Sequence, residues 1–312
     1  MIVERGPELH TDPATVLTVG TFDGVHVGHQ TILRYLRERA AQREGTATVL
    51  TFDPHPRTLL TGTQTPLLTT VDERAALLSE AGIERLVVLP FTHELAAMEA
   101  EDYVRDVLVR QIGLREMVVG YDHAFGRARR GTTDLLRAMS GTLGFSVDQM
   151  PAALVDDAVV SSTRIRNALI ERGAVDEAEV LLGRPYALSG MVVEGVRRGR
   201  TIGFPTANLR PDSAKLIPLN GVYAVRVFYG RERFGGMLNI GIRPTFDGSE
   251  RRAEVNLFDF EGDLYGETIR LEFVKHIRAE RKFDSAAALS AQLSLDTCWR
   301  GVLVGAESPV CA

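Results

Sequence analysis

The sequence predicts two domains, an α/β domain built on a doubly wound parallel sheet and a small antiparallel β-barrel domain with a C-terminal helix. Strand-like and helix-like segments alternate through residues 1–183, whereas short β-rich runs separated by turn residues fill residues 184–312. A chain of 312 residues is also long enough to bury two cores. The expected domains are therefore 1–183 and 184–312.

The elements of the first domain follow from two periodicities. β-branched runs that end at Gly, Asp or Pro predict strands, and apolar residues at helical spacing, such as Leu33 and Leu36, predict helices. The predicted strands are 15–20, 46–52, 85–90, 117–121 and 144–147. The predicted helices are 28–43, 71–80, 101–111, 132–139, 162–171 and 175–182. This alternation is typical of βαβ units, whose ligands bind at the carboxyl ends of the strands.

The second domain has a different pattern. Its predicted strands are 188–196, 221–230, 233–241, 253–260 and 268–274, with a sixth strand left open. A helix over 284–297 begins with Asp284 in an N-cap position. Short strands of this kind are typical of a small antiparallel barrel or sandwich.

Charge and composition exclude several classes of protein. The net charge is −5, with 18 Lys and Arg against 26 Asp and Glu in 1–183 and 18 against 15 in the remainder. Neither part is basic enough for nucleic acid as the main ligand. Apolar runs are too short for a membrane span, and no secretory signal is visible, so we expect a cytoplasmic protein. Self-association is compatible with the sequence, but nothing in it supports this.

A glycine- and histidine-rich segment, GTFDGVHVGH, joins the first predicted strand to the first helix. Gly20, Gly24 and Gly28 permit tight turns, and His26 and His29 face the same side of the first helical turn. A helix N-terminus with two imidazoles is suited to a polyphosphate. No lysine precedes Lys215, so this region has no P-loop. The alternative is a glycine-rich turn with incidental histidines, which the spacing alone does not exclude.

Three more polar segments follow strand-like runs, the last of which is 158–160. They are 51–56 (TFDPHP), 120–126 (GYDHAFG) and 161–166 (SSTRIR). The last begins a predicted helix and offers hydroxyl and guanidinium groups, which bind phosphate without lysine. Four such segments at the ligand-binding edge of one sheet favour a functional site over four unrelated turns.

These motifs resemble the adenylyltransferase half of prokaryotic bifunctional riboflavin kinase/FAD synthetases. The resemblance implies a Rossmann-like nucleotidyltransferase domain in which the phosphate of FMN attacks the α-phosphorus of ATP and expels pyrophosphate, with Mg²⁺ present. It implies His26 and His29 as catalytic groups. It implies an ATP site that includes Gly20, Phe22, Asp23, Gly24, Gly28, Ser162, Thr163, Arg164 and Arg166. Flavin-site candidates are Asp53, His55, Pro56, Asp122 and Phe125. The family's GxDFxFG pattern is altered here at His123 and Ala124.

The second domain contains a glycine- and arginine-rich loop followed by Pro-Thr-Ala-Asn. Gly195, Arg200 and Gly203 can bind phosphates, while Thr206 and Asn208 are neutral oxygen ligands that share one side of an extended segment. Glu254 is the best candidate for a carboxylate base. The alternatives are a mobile hairpin before a turn, and an exposed strand carboxylate paired with a neighbouring arginine. Periodicity does not decide between them.

GRTIGFPTANL, NIGIRPTF, AEVNLFDF, DLYGETIRLEF and IRAERKF resemble the riboflavin kinase module of the same family. The resemblance implies a six-stranded barrel, Mg²⁺ and ATP at Thr206 and Asn208, and Glu254 as general base. Asn256 stands where the family often has His. Together the two modules imply that riboflavin and ATP give FMN, and that FMN and ATP give FAD. The alternative is a flavin-binding regulatory protein with one or both sites degenerate.

Overall fold

The computed structural model describes residues 1–6, 9–121, 123–194, 206–245, 248–281, 283–285, 288, 291–292, 295–296, 299 and 303. The chain divides into two compact units, Met1–Ser162 and Thr163–Ala312. Each unit has a sheet of its own. The expected domain division after residue 183 stays a prediction. Among the described residues, no helix is long and apolar enough to cross a membrane.

A six-stranded parallel sheet forms the centre of the first unit, in the order β1-β4-β3-β2-β5-β6. Its strands are β1 (Ile2–Arg5), β2 (Thr15–Val19), β3 (Thr46–Asp53), β4 (Arg85–Pro90), β5 (Leu114–Val119) and β6 (Ser146–Gln149). Strands β3, β4 and β1 lie on one side of β2, and β5 and β6 lie on the other, which makes β2 and β5 neighbours at the switch point of a doubly wound sheet. This architecture confirms the predicted α/β class. A two-stranded hairpin, β7 (Leu154–Val155) and β8 (Ala158–Val159), follows the sheet.

Helices cover both faces of the sheet. They are α1 (Val27–Gln42), α2 (Pro56–Thr61), α3 (Val71–Glu80), α4 (His93–Ala97), α5 (Ala100–Asp102), a π-helix (Tyr103–Ile112), a 3₁₀ turn (Arg127–Arg129) and α6 (Thr133–Leu143). One cluster of buried side chains packs the π-helix and α6 on the sheet, and a second packs α1 and α3. A core on each side explains why the central strands are buried at almost every position.

A network of charged side chains connects the C-terminal end of α1 to strand β5. The Glu116 carboxylate on β5 is fully buried and accepts hydrogen bonds from Arg39 Nε at 2.5 Å, Arg43 Nε at 2.7 Å and Ser146 Oγ at 3.2 Å. Arg39 Nε also lies 3.2 Å from Asp148 Oδ2. Burial raises the pKa of Glu116, but the hydrogen bonds from Arg39 and Arg43 outweigh it and hold the pKa below its ordinary value. These contacts fix α1 to the sheet.

The second unit contains a closed antiparallel barrel in the order β10-β13-β12-β11-β14-β9. Its elements are α7 (Ser162–Arg172), α8 (Val175–Leu182), β9 (Ala187–Val193), β10 (Ala207–Pro211), β11 (Gly221–Tyr229), β12 (Glu232–Thr245), β13 (Gly248–Leu257) and β14 (Thr268–Arg278). The first residue of α7, Ser162, belongs to the first unit. The barrel class is confirmed, and β10 supplies the sixth strand. The predicted helix 284–297 lies largely outside the described residues and stays a prediction.

Alternation along the strands separates the inside of the barrel from its outer face. Buried side chains that fill the inside include Leu188, Val225, Leu238, Ile240, Val255, Leu271 and Phe273. On the opposite face, Met237 and Phe258 pack against Leu303 and Trp299. The barrel therefore has a core of its own.

Helices α7 and α8 pack on the barrel within this unit. Leu219 N donates to Leu169 O at 2.9 Å, and Lys275 Nζ lies 2.7 Å from Asp176 Oδ2. The Tyr223 hydroxyl donates to Leu219 O at 2.6 Å, and burial raises the pKa of Tyr223 to about 12. These contacts hold the barrel strand β11 against the loop that precedes it.

Candidate active sites

The loop between β2 and α1 lies at the switch point of the parallel sheet. Phe22, Gly24 and Val25 have φ angles of 46°, 86° and 39°. Gly24 adopts this region freely, whereas Phe22 and Val25 require surrounding contacts to hold them there. The loop thus has an unusual backbone fixed by its neighbours, at the place where the fold class binds ligands.

His26 and His29 lie together at the first turn of α1. His26 caps the helix, since its Nδ1 accepts from His29 N at 3.3 Å. The two rings stack with centroids 3.6 Å apart, and the Phe22 ring lies 4.8 Å from that of His29. In a neutral His26 ring that accepts through Nδ1, the proton lies on Nε2. A Cβ at Gly28 would approach the His26 ring to 3.2 Å, so glycine gives the ring its room.

Asp23 lies beneath this loop with its side chain fully buried. Its carboxylate accepts from Leu68 N at 3.0 Å and from Thr69 N at 2.9 Å. Arg74 Nη2 lies 3.9 Å from Asp23 Oδ1. Sequence reasoning named Asp23 but missed Thr69 and Arg74, because no local pattern connects them to the loop.

The SSTRIR segment begins helix α7. Ser162 Oγ donates to Asp23 O at 2.8 Å, which brings the first residue of the helix to the GTFDG loop. Thr163, Arg164 and Arg166 belong to the second unit, where Arg166 is 8% exposed and Arg164 Nε lies 3.8 Å from Glu177 Oε1. Of this segment, the structure joins Ser162 to the loop, and the ATP contacts of the other residues stay predictions.

The first group of flavin-site candidates lies at the end of β3. Asp53 is the last residue of the strand and is exposed, and the Asp53–Pro54 peptide bond is cis. His55 caps α2 by accepting from Arg57 N at 3.1 Å, and Pro56 occupies the first turn. The end of this strand thus presents an exposed carboxylate just before α2.

The second group follows β5 and is aromatic. The Phe125 ring lies 5.5 Å from that of His123 and 5.8 Å from that of Tyr103. Phe125 pairs with Gly131 through two backbone hydrogen bonds, at 3.1 and 2.9 Å. Burial raises the pKa of Tyr103, whose hydroxyl has no hydrogen-bond partner among the described residues. Asp122 lies outside the described residues.

Three polar residues of the barrel lie side by side on successive strands. Glu254 of β13 pairs in register with Asn208 of β10 and with Asn239 of β12. Ala253 and Val255, which are 2% and 0% exposed, point into the barrel, so Glu254 points outward. Directly opposed residues share a face and lie about 5 Å apart at Cβ. Sequence reasoning missed Asn239, which only the strand register reveals.

Asn208 has the features expected of a metal ligand. Its side chain is 9% exposed, and its Oδ1 has no hydrogen-bond partner among the described residues. Burying such an oxygen costs free energy unless a ligand satisfies it. With Thr206 and Glu254, Asn208 offers oxygen donors of the kind Mg²⁺ prefers, so these residues fit the ion. No larger His, Cys, Asp and Glu cluster occurs in the described part of the chain. Gly195, Arg200 and Gly203 lie outside that part.

A Rossmann-like parallel sheet and a closed antiparallel barrel, each with a group of polar side chains, are the two folds of a two-domain transferase. The FAD synthetase family model matches residues 8–164, and the riboflavin kinase model matches residues 182–299. The chain belongs to the family of bifunctional riboflavin kinase/FMN adenylyltransferases. It is an enzyme with both catalytic domains of that family.

Relatives of that name cover nearly the whole chain. The bifunctional riboflavin kinase/FMN adenylyltransferase of Haemophilus influenzae is 39% identical over 90% of this chain and 91% of its own. That of Escherichia coli is 38% identical over 94% of each chain. A solved structure described as a macrolide-efflux protein from Streptococcus pneumoniae is 34% identical, with a TM-score of 0.88 over 96% of this chain and 99% of that one. The description as an efflux protein applies to that structure and is not carried over to this chain.

Proposed function

We propose that the barrel phosphorylates riboflavin to FMN and that the parallel-sheet domain adenylylates FMN to FAD. The observation that supports the proposal is the polar group found in each domain. Stacked histidines lie at a helix N-terminus in one domain, and a carboxylate lies between two amides in the other. ATP is the co-substrate of both reactions.

In FMN adenylylation, a phosphate oxygen of FMN forms a bond to the α-phosphorus of ATP. The bond from that phosphorus to the oxygen bridging the β-phosphate breaks, and pyrophosphate leaves. The His26 side chain and the positive end of the α1 helix dipole would stabilise the charge of the leaving pyrophosphate, because His26 is the N-cap of that helix. His29 stacks on His26 and keeps its ring oriented.

Riboflavin phosphorylation needs a base and a clamp for the triphosphate. Glu254 accepts the proton of the ribityl 5′-hydroxyl while that oxygen attacks the γ-phosphorus, and ADP leaves as the bridging bond breaks. Thr206 and Asn208 would hold Mg²⁺, which neutralises phosphate charge when it is bound. The orphaned Oδ1 of Asn208 supports this assignment.

The flavin of the adenylylation site is proposed to lie near the ends of β3 and β5. The exposed Asp53 and the aromatic group around Phe125 support this, because a planar apolar ring and polar substituents need both kinds of surface. His123 adds a second ring beside Phe125, and we expect it to change flavin affinity rather than abolish the reaction.

Glu254→Gln and His29→Ala test the assignment of one reaction to each domain. Products are followed by chromatography with riboflavin, or FMN, plus ATP and Mg²⁺. Glu254→Gln is expected to lose FMN formation and to keep FAD formation from added FMN, and His29→Ala is expected to do the reverse. Matched controls are Glu272→Gln, on barrel strand β14, and His93→Ala, at the exposed start of α4. Equal impairment of both steps by both variants would contradict the assignment.

A further inference from the structure

Arg74 is a buried cation beneath the loop between β2 and α1. It lies on α3 with its side chain 2% exposed. Nη1 donates to Thr51 Oγ1 at 2.9 Å, and Nη2 donates to Thr69 O at 3.3 Å. Arginine is seldom buried so completely unless its charge is balanced, and Asp23 Oδ1 lies 3.9 Å away. The guanidinium therefore belongs to the support of the Asp23 loop.

Thr69 connects this support to the loop backbone. Its hydroxyl donates to Asp23 Oδ1 at 3.2 Å and accepts from Gly24 N at 3.0 Å. Its own backbone N–H donates to the same carboxylate. One buried threonine thus holds both the side chain of Asp23 and the backbone of the next residue.

A second connection passes through Thr51. Its hydroxyl accepts from Arg74 and donates to Thr21 O at 3.1 Å. The loop is therefore held at Thr21, Asp23 and Gly24, by groups from β3, from residues 68–69 and from α3. These supports are far from the loop in sequence and contact it only in the fold.

Two of the held residues lie between the two residues with strained backbone. Asp23 and Gly24 separate Phe22 and Val25, whose positive φ angles require surrounding contacts to persist. Val25 precedes His26, so the backbone direction at Val25 sets where the His26 ring caps α1. A change of loop conformation would move His26 and the ring of His29 stacked on it.

We infer that Thr69 and Arg74 are positioning residues for FMN adenylylation, which fix the loop that presents His26. The inference rests on the proposed function of the parallel-sheet domain. Neither residue is required to touch a substrate. Their loss is expected to lower kcat more than it raises KM for ATP, because misplaced donors fail chiefly in the transition state.

Thr69→Val removes the hydroxyl and keeps the shape of the side chain. We expect kcat for FAD formation to fall about tenfold, the factor for about 1.4 kcal/mol of lost transition-state stabilisation, and Thr69→Ser to restore most of it. The matched control is Thr48→Val. Thr48 is also fully buried, but its hydroxyl donates only to the local carbonyl of Thr46 among the described hydrogen bonds. Thr48→Val is expected to keep the kcat of the unmodified enzyme and to lose as much thermal stability as Thr69→Val.

Several outcomes overturn the inference or its premise. Equal kcat and KM for Thr69→Val and Thr48→Val would overturn the positioning role. Absence of FAD formation by the unmodified enzyme from FMN and ATP would instead overturn the proposed function. If Thr69→Val does not unfold cooperatively, Arg74→Lys replaces it with the same criterion. Its control is Arg85→Lys, because Arg85 is also buried, at 3% exposed, and pairs with a carboxylate, that of Glu4.

Discussion

Replacing Glu116 by glutamine removes the charge at the centre of the network that holds α1 on the sheet. The carboxylate is fully buried and accepts from Arg39 through Nε at 2.5 Å and Nη2 at 3.1 Å. Arg43 Nε and Ser146 Oγ supply two further hydrogen bonds. The amide keeps one acceptor oxygen and presents N–H groups to the remaining donors, so at least one guanidinium loses its partner.

The expected loss of stability depends on how much of each arginine side chain is exposed to water. Removing one partner of a fully buried pair costs about 3–5 kcal/mol. Here the Arg39 and Arg43 side chains are 23% and 42% exposed and can be rehydrated, so the free energy of unfolding is expected to fall by about 2 kcal/mol. For a unit of this size that corresponds to roughly 4–8 °C in Tm.

Thermal unfolding at neutral and acidic pH measures this loss. The folded pKa of Glu116 is below its unfolded value of 4.5, so its contribution is fully present above that pH and is lost as the pH falls through the folded pKa. The difference between the unmodified protein and Glu116→Gln should therefore shrink in acid. Asp148→Asn is the control, because this carboxylate is 37% exposed. An unchanged Tm, or a difference independent of pH, would refute the reasoning.

Three substitutions test local features. Gly113→Ala is expected to lower the free energy of unfolding of the first unit by several kcal/mol, as measured by denaturant unfolding. The reason is that φ at Gly113 is 89° and an added Cβ would overlap Asp12 O. Thr70→Ala removes the capping box of α3 and should cost about 1 kcal/mol in the same assay. Gly131→Ala would place a Cβ 2.6 Å from the Phe125 ring, so KM for FMN should rise without loss of FMN formation. Unchanged values would contradict each expectation.

Most of the fold could be predicted because periodicity and turn residues agree along the chain. The predicted helices 71–80 and 175–182 and the strand 85–90 have the bounds found for α3, α8 and β4. The helical period of 101–111 is confirmed as a helix, although its hydrogen bonding is of the π type. Such a choice depends on packing against the sheet, which local sequence does not contain.

Other elements have weak local signals. Strand β5 begins at Leu114, whereas the sequence predicts a start at 117. Glu116 interrupts the apolar run, and the side chains that donate to its carboxylate, Arg39, Arg43 and Ser146, lie on segments that no local pattern connects to it. Strand β1 has exposed apolar residues and no alternation, so pairing with β4 alone defines it. Strand β10 ends at Pro211, a residue that argues against a strand in a sequence pattern.

The adenylylation site was predictable where its residues are neighbours in sequence. The spacing of His26 and His29 predicts that they share a face, and their stacked rings confirm it. The support from Thr69 and Arg74 was not predictable, since a buried arginine and a threonine on a distant segment give no signal of their own. The partner of Glu254 on β12 likewise depends on strand register.

The row formed by Asn208, Glu254 and Asn239 limits where residues can be inserted into or deleted from this domain. The relative positions of these three residues are set by the hydrogen-bond ladder of a closed barrel and not by loops. One residue inserted within β13 would turn Glu254 inward and bring a core alanine or valine to the outer face. Additions and deletions are thus tolerable only in the connections between strands. The same placement means that the row persists for as long as the barrel stays folded, so its amide hydrogens should exchange only on global unfolding.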